Sequence, residues 1–200
     1  MSLDLLPALL AFTFVTSVTP GPNNIMLMTS GANFGLRASV PHMLGVSLGH
    51  AAMVAGVGLG LGAALQAAPA LERVLRVAAV LYMLWLAWKL ANAAAPEAKR
   101  AAVRGAGRPL TFLQAAAFQW VNPKAWAMAL GAVSLYAPGG ALGAVLAVAA
   151  VFALVNLPSV SLWAALGTQL RRLLTSPARL RAFNWSMAAL LLLSLYPVLA

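Results

Sequence analysis

The sequence predicts an all-α integral membrane protein of six transmembrane helices, arranged as two inverted three-helix repeats whose first helices are broken. Three observations carry this expectation. Apolar residues make up 62% of the 200 residues and charged residues 8%, against roughly 45–50% and about 25% in soluble domains. The apolar residues fall in long runs without period-2 alternation, which argues against a β-barrel; only helices and closed barrels satisfy their backbone in lipid. Finally, two of the runs are interrupted, at Pro20-Gly21-Pro22 and at Asn122-Pro123.

Each span follows from its apolar run. The first covers Leu5 to about Phe34 and is broken at Pro20-Gly21-Pro22. It starts with Asp4 and without a basic segment, so it reads as a retained span and not a signal peptide. The second covers Ser39–Leu65 and the third Val74–Ala91. The fourth covers Leu110–Tyr136, broken at Asn122-Pro123. The fifth is Gly140–Gly167, with Asn156 and Pro158 inside it, and the sixth is Asn184–Leu199. At about 20 residues per span, these fill the chain as a single membrane domain. Its first half runs to about residue 93, a loop covers about 94–109, and the second half runs from about 110 to 200. Each half opens with a broken helix, at Val18-Thr19-Pro20 and at Val121-Asn122-Pro123. Three spans is an odd number, so the halves run in opposite directions, the pattern of inverted-repeat transporters.

Charge sets the orientation. The 13 Lys and Arg against 3 Asp and Glu leave a net charge of +10. Arg37, Lys89, Lys99, Arg100, Arg104, Arg108, Arg171, Arg172, Arg179 and Arg181 follow the odd-numbered spans. The other side has Arg73 and Arg76, with Glu72 beside them. The positive-inside rule places the basic loops in the cytoplasm and both termini outside. It also accounts for the basic charge without nucleic acid as a partner; the lipid bilayer is the partner.

The costly polar residues converge in depth. Span midpoints fall at Thr19-Pro20, beside His50, at Pro123 next to Lys124, and within three residues of Asn156. Lys124 lies 14 residues after Leu110, about 21 Å of helix, beyond half of a ~30 Å hydrocarbon core. Asn122 suits an N-cap and Pro123 the first helical position, so a half-helix starts there with its positive end free for an anion. Thr19-Pro20-Gly21-Pro22-Asn23-Asn24 leaves carbonyls before its break and N–H groups after it. Together Thr19 to Asn24, Asn122, Pro123, Lys124 and Asn156 form the candidate substrate site, with Lys124 suited to a carboxylate. His50 is the candidate proton carrier, whereas His42 lies near the span entrance and is expected at the interface. Gly31/Gly35, Gly45/Gly49 and Gly58/Gly62 have the spacing of close helix packing, which leaves a homo-oligomer open. The six tryptophans read as interface anchors or core, Trp120 and Trp126 flanking the second break.

Several chemistries are excluded. Cysteine is absent, and no Asp or Glu sits within a span. There is no His cluster for a metal and no phosphate loop, so no catalytic residue, metal or cofactor is expected. An intramembrane enzyme therefore has nothing to work with. A non-transporting scaffold or subunit is the alternative, but it makes no use of the midplane breaks.

Three segments resemble the lysine exporter and homoserine–threonine exporter (LysE/RhtB) family. They are Thr19-Pro20-Gly21-Pro22-Asn23-Asn24 with the following Gly31, Gly35, Gly45, Gly49 and His50; Leu81 to Leu90; and Val121-Asn122-Pro123-Lys124-Ala125. The resemblance implies a multi-pass exporter of amino acids or close derivatives in the bacterial cytoplasmic membrane, driven by the proton gradient. Family members often carry an acidic residue where this chain has His50. A site with Lys124 and no carboxylate suits a neutral substrate, of threonine, homoserine or leucine type.

Overall fold

The computed structural model describes residues 3–93 and 108–196, and among them every regular element is helical. A short 3₁₀ turn (Leu3–Leu5) leads into α1 (Leu6–Val18). The first break follows, and Pro22 opens α2 (Pro22–Phe34). Gly35, at φ +84°, turns the chain into α3 (Leu36–Gly56) in a conformation that only glycine adopts cheaply. A π-helical turn (Val57–Leu61) joins α3 to α4 (Gly62–Gln66), and α5 covers Pro69–Ala91. The second half comprises α6 (Phe112–Gln119), α7 (Pro123–Tyr136), α8 (Leu142–Leu170) and α9 (Pro177–Leu193).

Both expected breaks are present, and local chemistry explains them. Asn122 caps α7, its Oδ1 accepting from the Lys124 N–H at 3.1 Å, with Pro123 in the first turn. Thr111 and Gln114 form a reciprocal capping box at the start of α6. Four boundaries differ from the sequence expectation. The second span is not one helix over Ser39–Leu65, because Gly60 (φ +107°) interrupts it beyond Gly56. The third starts at Pro69 instead of Val74. The fifth runs on to Leu170. The sixth starts at Pro177, seven residues before Asn184, because Ser176 caps it by accepting from the Arg179 N–H. Arg179 and Arg181 thus lie on the helix and not in a loop. Residues 94–107, most of the expected loop, and the end of the sixth span beyond 196 lie outside the described residues.

Among the described residues, two stretches are each long and apolar enough to cross a membrane alone, Leu36–Ala64 and Leu142–Leu170; Leu6–Val18 and Val77–Ala91 are shorter apolar helices. The outer surface is apolar: Leu81, Leu113, Leu154 and Leu193 are each more than 60% exposed. The interior holds buried Asn24, Asn33, His42, His50, Gln119, Asn122, Asn156 and Asn184. Such an inversion of the soluble pattern is what lipid as solvent requires.

Several packing pairs have a counterpart when the halves are exchanged. α3 and α8 pack on each other, and so do α5 and α9. α1 and α2 lie along α8, while α6 and α7 lie along α3. Glycines set the closest approaches. A Cβ on Gly45 or Gly49 would meet the α6 backbone at 2.3–2.5 Å, and one on Gly31 would meet the Ala164 carbonyl oxygen of α8 at 2.0 Å.

The apolar core is divided into two clusters. One includes Met26, Leu27, Val46, Phe118 and Val160. The other includes Leu9, Met53, Ala125, Val148 and Phe152. α3 passes from the first to the second with Ser47 and His50 between, and α8 passes back with Asn156 between. Both helix breaks fall at the same transition. A polar layer therefore separates two apolar plugs.

Candidate functional site

The first break leaves the last carbonyls of α1 without helical partners, a cost of roughly 1–3 kcal/mol for each one buried unpaired. Each finds a donor. Val15 O accepts from the Thr19 N–H at 3.1 Å, and Thr16 O from Thr19 Oγ1 at 3.0 Å. Asn24, in the first turn of α2, donates from Nδ2 to Ser17 O at 2.9 Å and Thr19 O at 2.7 Å. Trp163 of α8 donates from Nε1 to Val18 O at 3.0 Å.

Lys124 completes this arrangement from the other half of the chain. Its Nζ donates to Thr19 O at 2.6 Å, Thr19 Oγ1 at 2.9 Å and Pro20 O at 3.4 Å. The ammonium therefore sits at the negative end of α1, where a helix favours a cation. Gly21 makes room for it, since a Cβ there would fall 2.7 Å from Lys124 Cδ. Gly21 is extended (φ −177°), so close approach and not backbone strain calls for glycine. A further link between the halves is a reciprocal amide pair: Asn23 Nδ2 donates to Gln119 Oε1 at 2.9 Å, and Gln119 Nε2 to Asn23 Oδ1 at 3.1 Å.

Beside these contacts lies a small open cavity, with about 310 Å³ of free space when its mouth is counted. Seven of the expected site residues line it: Gly21, Asn23, Asn24, His50, Asn122, Lys124 and Asn156. Thr19 and Pro20 stand behind it as acceptors for Lys124. Pro22 and Pro123 do not line it; they start α2 and α7. Ser17, Thr16, Met128 and Val160 join the wall. The Ser17 hydroxyl and both ring nitrogens of His50 are buried without a protein partner. His50 packs edge-on against Phe152, centroids 4.9 Å apart. Among the described residues, no Asp or Glu lines the cavity.

Sequence reasoning missed Ser17, Gln119 and Trp163. Ser17 and Gln119 were legible as polar residues within apolar runs close to a break, but Trp163 carries no such mark. Trp120 and Trp126 brace the second break instead of lining the site; Trp126 Nε1 donates to Trp120 O at 2.9 Å. His42 is buried within the protein, because α2 and α5 close over it at a second cavity.

The family model described as LysE type translocator matches residues 14–195. The cysteine/O-acetylserine efflux protein of Escherichia coli (strain K12) is 32% identical over 178 residues, covering 86% of this chain and 87% of that protein. The protein of the same name from Shigella sonnei (strain Ss046) matches equally. That from Shigella flexneri is 32% identical over 174 residues, 84% of this chain and 85% of its own. No solved structure matches. A family model spanning nearly the whole chain, with relatives this similar over most of their length, makes the assignment: the chain belongs to the LysE-type translocator family, membrane transporters and not enzymes.

Proposed function

We propose that the chain exports small neutral amino acids, of the cysteine and O-acetylserine class, across the bacterial cytoplasmic membrane at the expense of the proton gradient. In this reading six spans form two inverted repeats of about 1–93 and 110–200, with both termini periplasmic. The observation that carries it is the polar cavity between two apolar plugs, walled by residues of both helix breaks. A zwitterion needs a cation for its carboxylate and acceptors for its ammonium. Lys124 supplies the first; the backbone carbonyls around the first break supply the second. The absence of an acidic wall argues against lysine or arginine as cargo. Unpartnered Ser17 and His50, with Asn156, favour a polar side chain over that of leucine. The relatives' names, cysteine/O-acetylserine efflux proteins, point the same way, towards small polar substrates.

The geometry also suggests how binding and gating are linked. Lys124 ties α7 to the end of α1, and a substrate carboxylate competes with Thr19 and Pro20 for that ammonium. Loading would loosen the tie between the halves. His50, buried beside the cavity, is the proton acceptor in this scheme. Proteoliposomes loaded with radiolabelled O-acetylserine, threonine, leucine or lysine provide the test. Saturable export of the first two is expected, with lysine retained. Lysine export at an equal rate would overturn the neutral-substrate reading, and export indifferent to a collapsed proton gradient would overturn the coupling.

A further inference from the structure

A second cavity, of about 450 Å³ with its mouth, lies at the opposite end of α2 from the substrate site, between α2, α3, α5 and the segment entering α6. Most of its wall is hydrocarbon: Met26, Leu86, Leu90 and Leu110. Three cationic or titratable side chains line it as well, Lys89, Arg108 and His42. His42 is 1% exposed, and neither ring nitrogen has a protein partner. Lys89 sits two residues before the end of α5, its Nζ 5.2 Å from the centre of the Trp85 ring. Trp88 on this last turn and Trp85 on the turn before it are themselves exposed. Tryptophan and lysine at a helix end mark the headgroup depth of a bilayer.

The combination selects an amphiphile. An apolar wall gives little to a small zwitterion and much to an acyl chain, since each buried CH₂ gains about 0.8 kcal/mol. Two cations at headgroup depth give little to a zwitterionic lipid and much to an anionic phosphate. The buried imidazole offers a hydrogen bond below the phosphate, at the level of ester or glycerol oxygens. The same end of the bundle carries exposed Arg37, Arg171, Arg172, Arg179 and Arg181, which draw acidic lipid towards it.

We propose that this cavity is a binding site for an anionic phospholipid, its phosphate on Lys89 and Arg108 and one acyl chain against Leu86 and Leu90. The site needs only the membrane setting and does not depend on which solute the protein moves.

The test uses the purified full-length protein in a mild detergent. Its thermal unfolding is followed with added phosphatidylglycerol, phosphatidylcholine or inorganic phosphate, and co-purifying lipid is identified by mass spectrometry. Phosphatidylglycerol is expected to raise the melting temperature and to be retained; the other two should do neither. Lys89→Gln with Arg108→Gln should abolish both effects, whereas Arg181→Gln, on the same face but outside the cavity, should keep them. Equal shifts from phosphatidylcholine, or full retention by the double variant, would overturn the proposal. A shift from inorganic phosphate alone would reassign the cavity to free anions. If the double variant does not fold, the wild-type comparison of the three additives still decides.

Discussion

Gly31→Ala tests the packing that holds the substrate site together. The added Cβ would lie 2.0 Å from the Ala164 carbonyl oxygen, and from the other side a Cβ on Gly167 would lie 1.9 Å from the Met28 carbonyl oxygen. Both obstacles are backbone, so no side chain can swing aside. To reach ordinary contact near 3.4 Å, α2 and α8 must separate by roughly 1.4 Å. α2 is also tied to α9 by the Asn33–Asn184 amide pair, at 2.9 Å and 3.3 Å, and where α2 is the helix that moves, a shift of that size breaks both bonds. Overpacking costs typically 1–3 kcal/mol and each lost buried hydrogen bond about 1 kcal/mol, for a total of about 3–5 kcal/mol. Because α2 starts with Asn23 and Asn24, the site moves with it. About 1.4 kcal/mol of lost positioning is already about tenfold in rate. The assay pairs thermal unfolding in detergent with efflux from proteoliposomes. Gly31→Ala and Gly167→Ala should each lower the melting temperature by several degrees and depress export at least about tenfold. Gly143→Ala, with nothing within 4 Å of its Cβ, should change neither. Wild-type stability and export in Gly31→Ala would refute the close-packing argument.

Other substitutions probe the breaks themselves. Lys124→Gln removes a charged donor worth roughly 1.5–3 kcal/mol per bond; export should be lost while the protein still reaches the membrane, as judged by efflux and membrane yield. Asn24→Ala leaves the Ser17 carbonyl without its donor, so thermal unfolding should show a loss of about 1–3 kcal/mol. For the Asn23–Gln119 pair, Gln119→Leu alone should destabilise more than Gln119→Leu with Asn23→Leu, because the double change leaves no stranded amide; a double-mutant cycle on melting temperatures measures this. The chain lacks cysteine, so single cysteines at position 4 and at position 181 should react with an impermeant maleimide from the periplasmic and the cytoplasmic side respectively.

What was legible in the sequence was the chemistry that acts locally. Proline, glycine and asparagine announce a helix end within a few residues, so both breaks and the N-cap at Asn122 could be placed in advance. Span midpoints brought His50, Lys124 and Asn156 to one depth, and all three line the same cavity. The long-range partners were not legible. Nothing local says that the Lys124 ammonium rests on carbonyls 105 residues earlier, or that Trp163 closes the end of α1. Hydropathy also misplaced the start of α9, because Ser176 and Pro177 set a helix start by capping while Arg179 and Arg181 lower the apolar average. His42 escaped for a similar reason: its position near a span end suggested the interface, but burial there is decided by what α2 and α5 cover.

The central claim is that the cavity between the breaks binds the amino acid that is moved. Equilibrium binding of radiolabelled O-acetylserine to the purified protein tests it most directly. Saturable binding is predicted, weakened about tenfold or more by Ser17→Ala or Asn156→Leu, as loss of a hydrogen bond worth about 1.4 kcal/mol requires. Lys89→Gln with Arg108→Gln, at the other cavity, should leave it intact. Binding unchanged by every substitution in the cavity between the breaks would contradict the account.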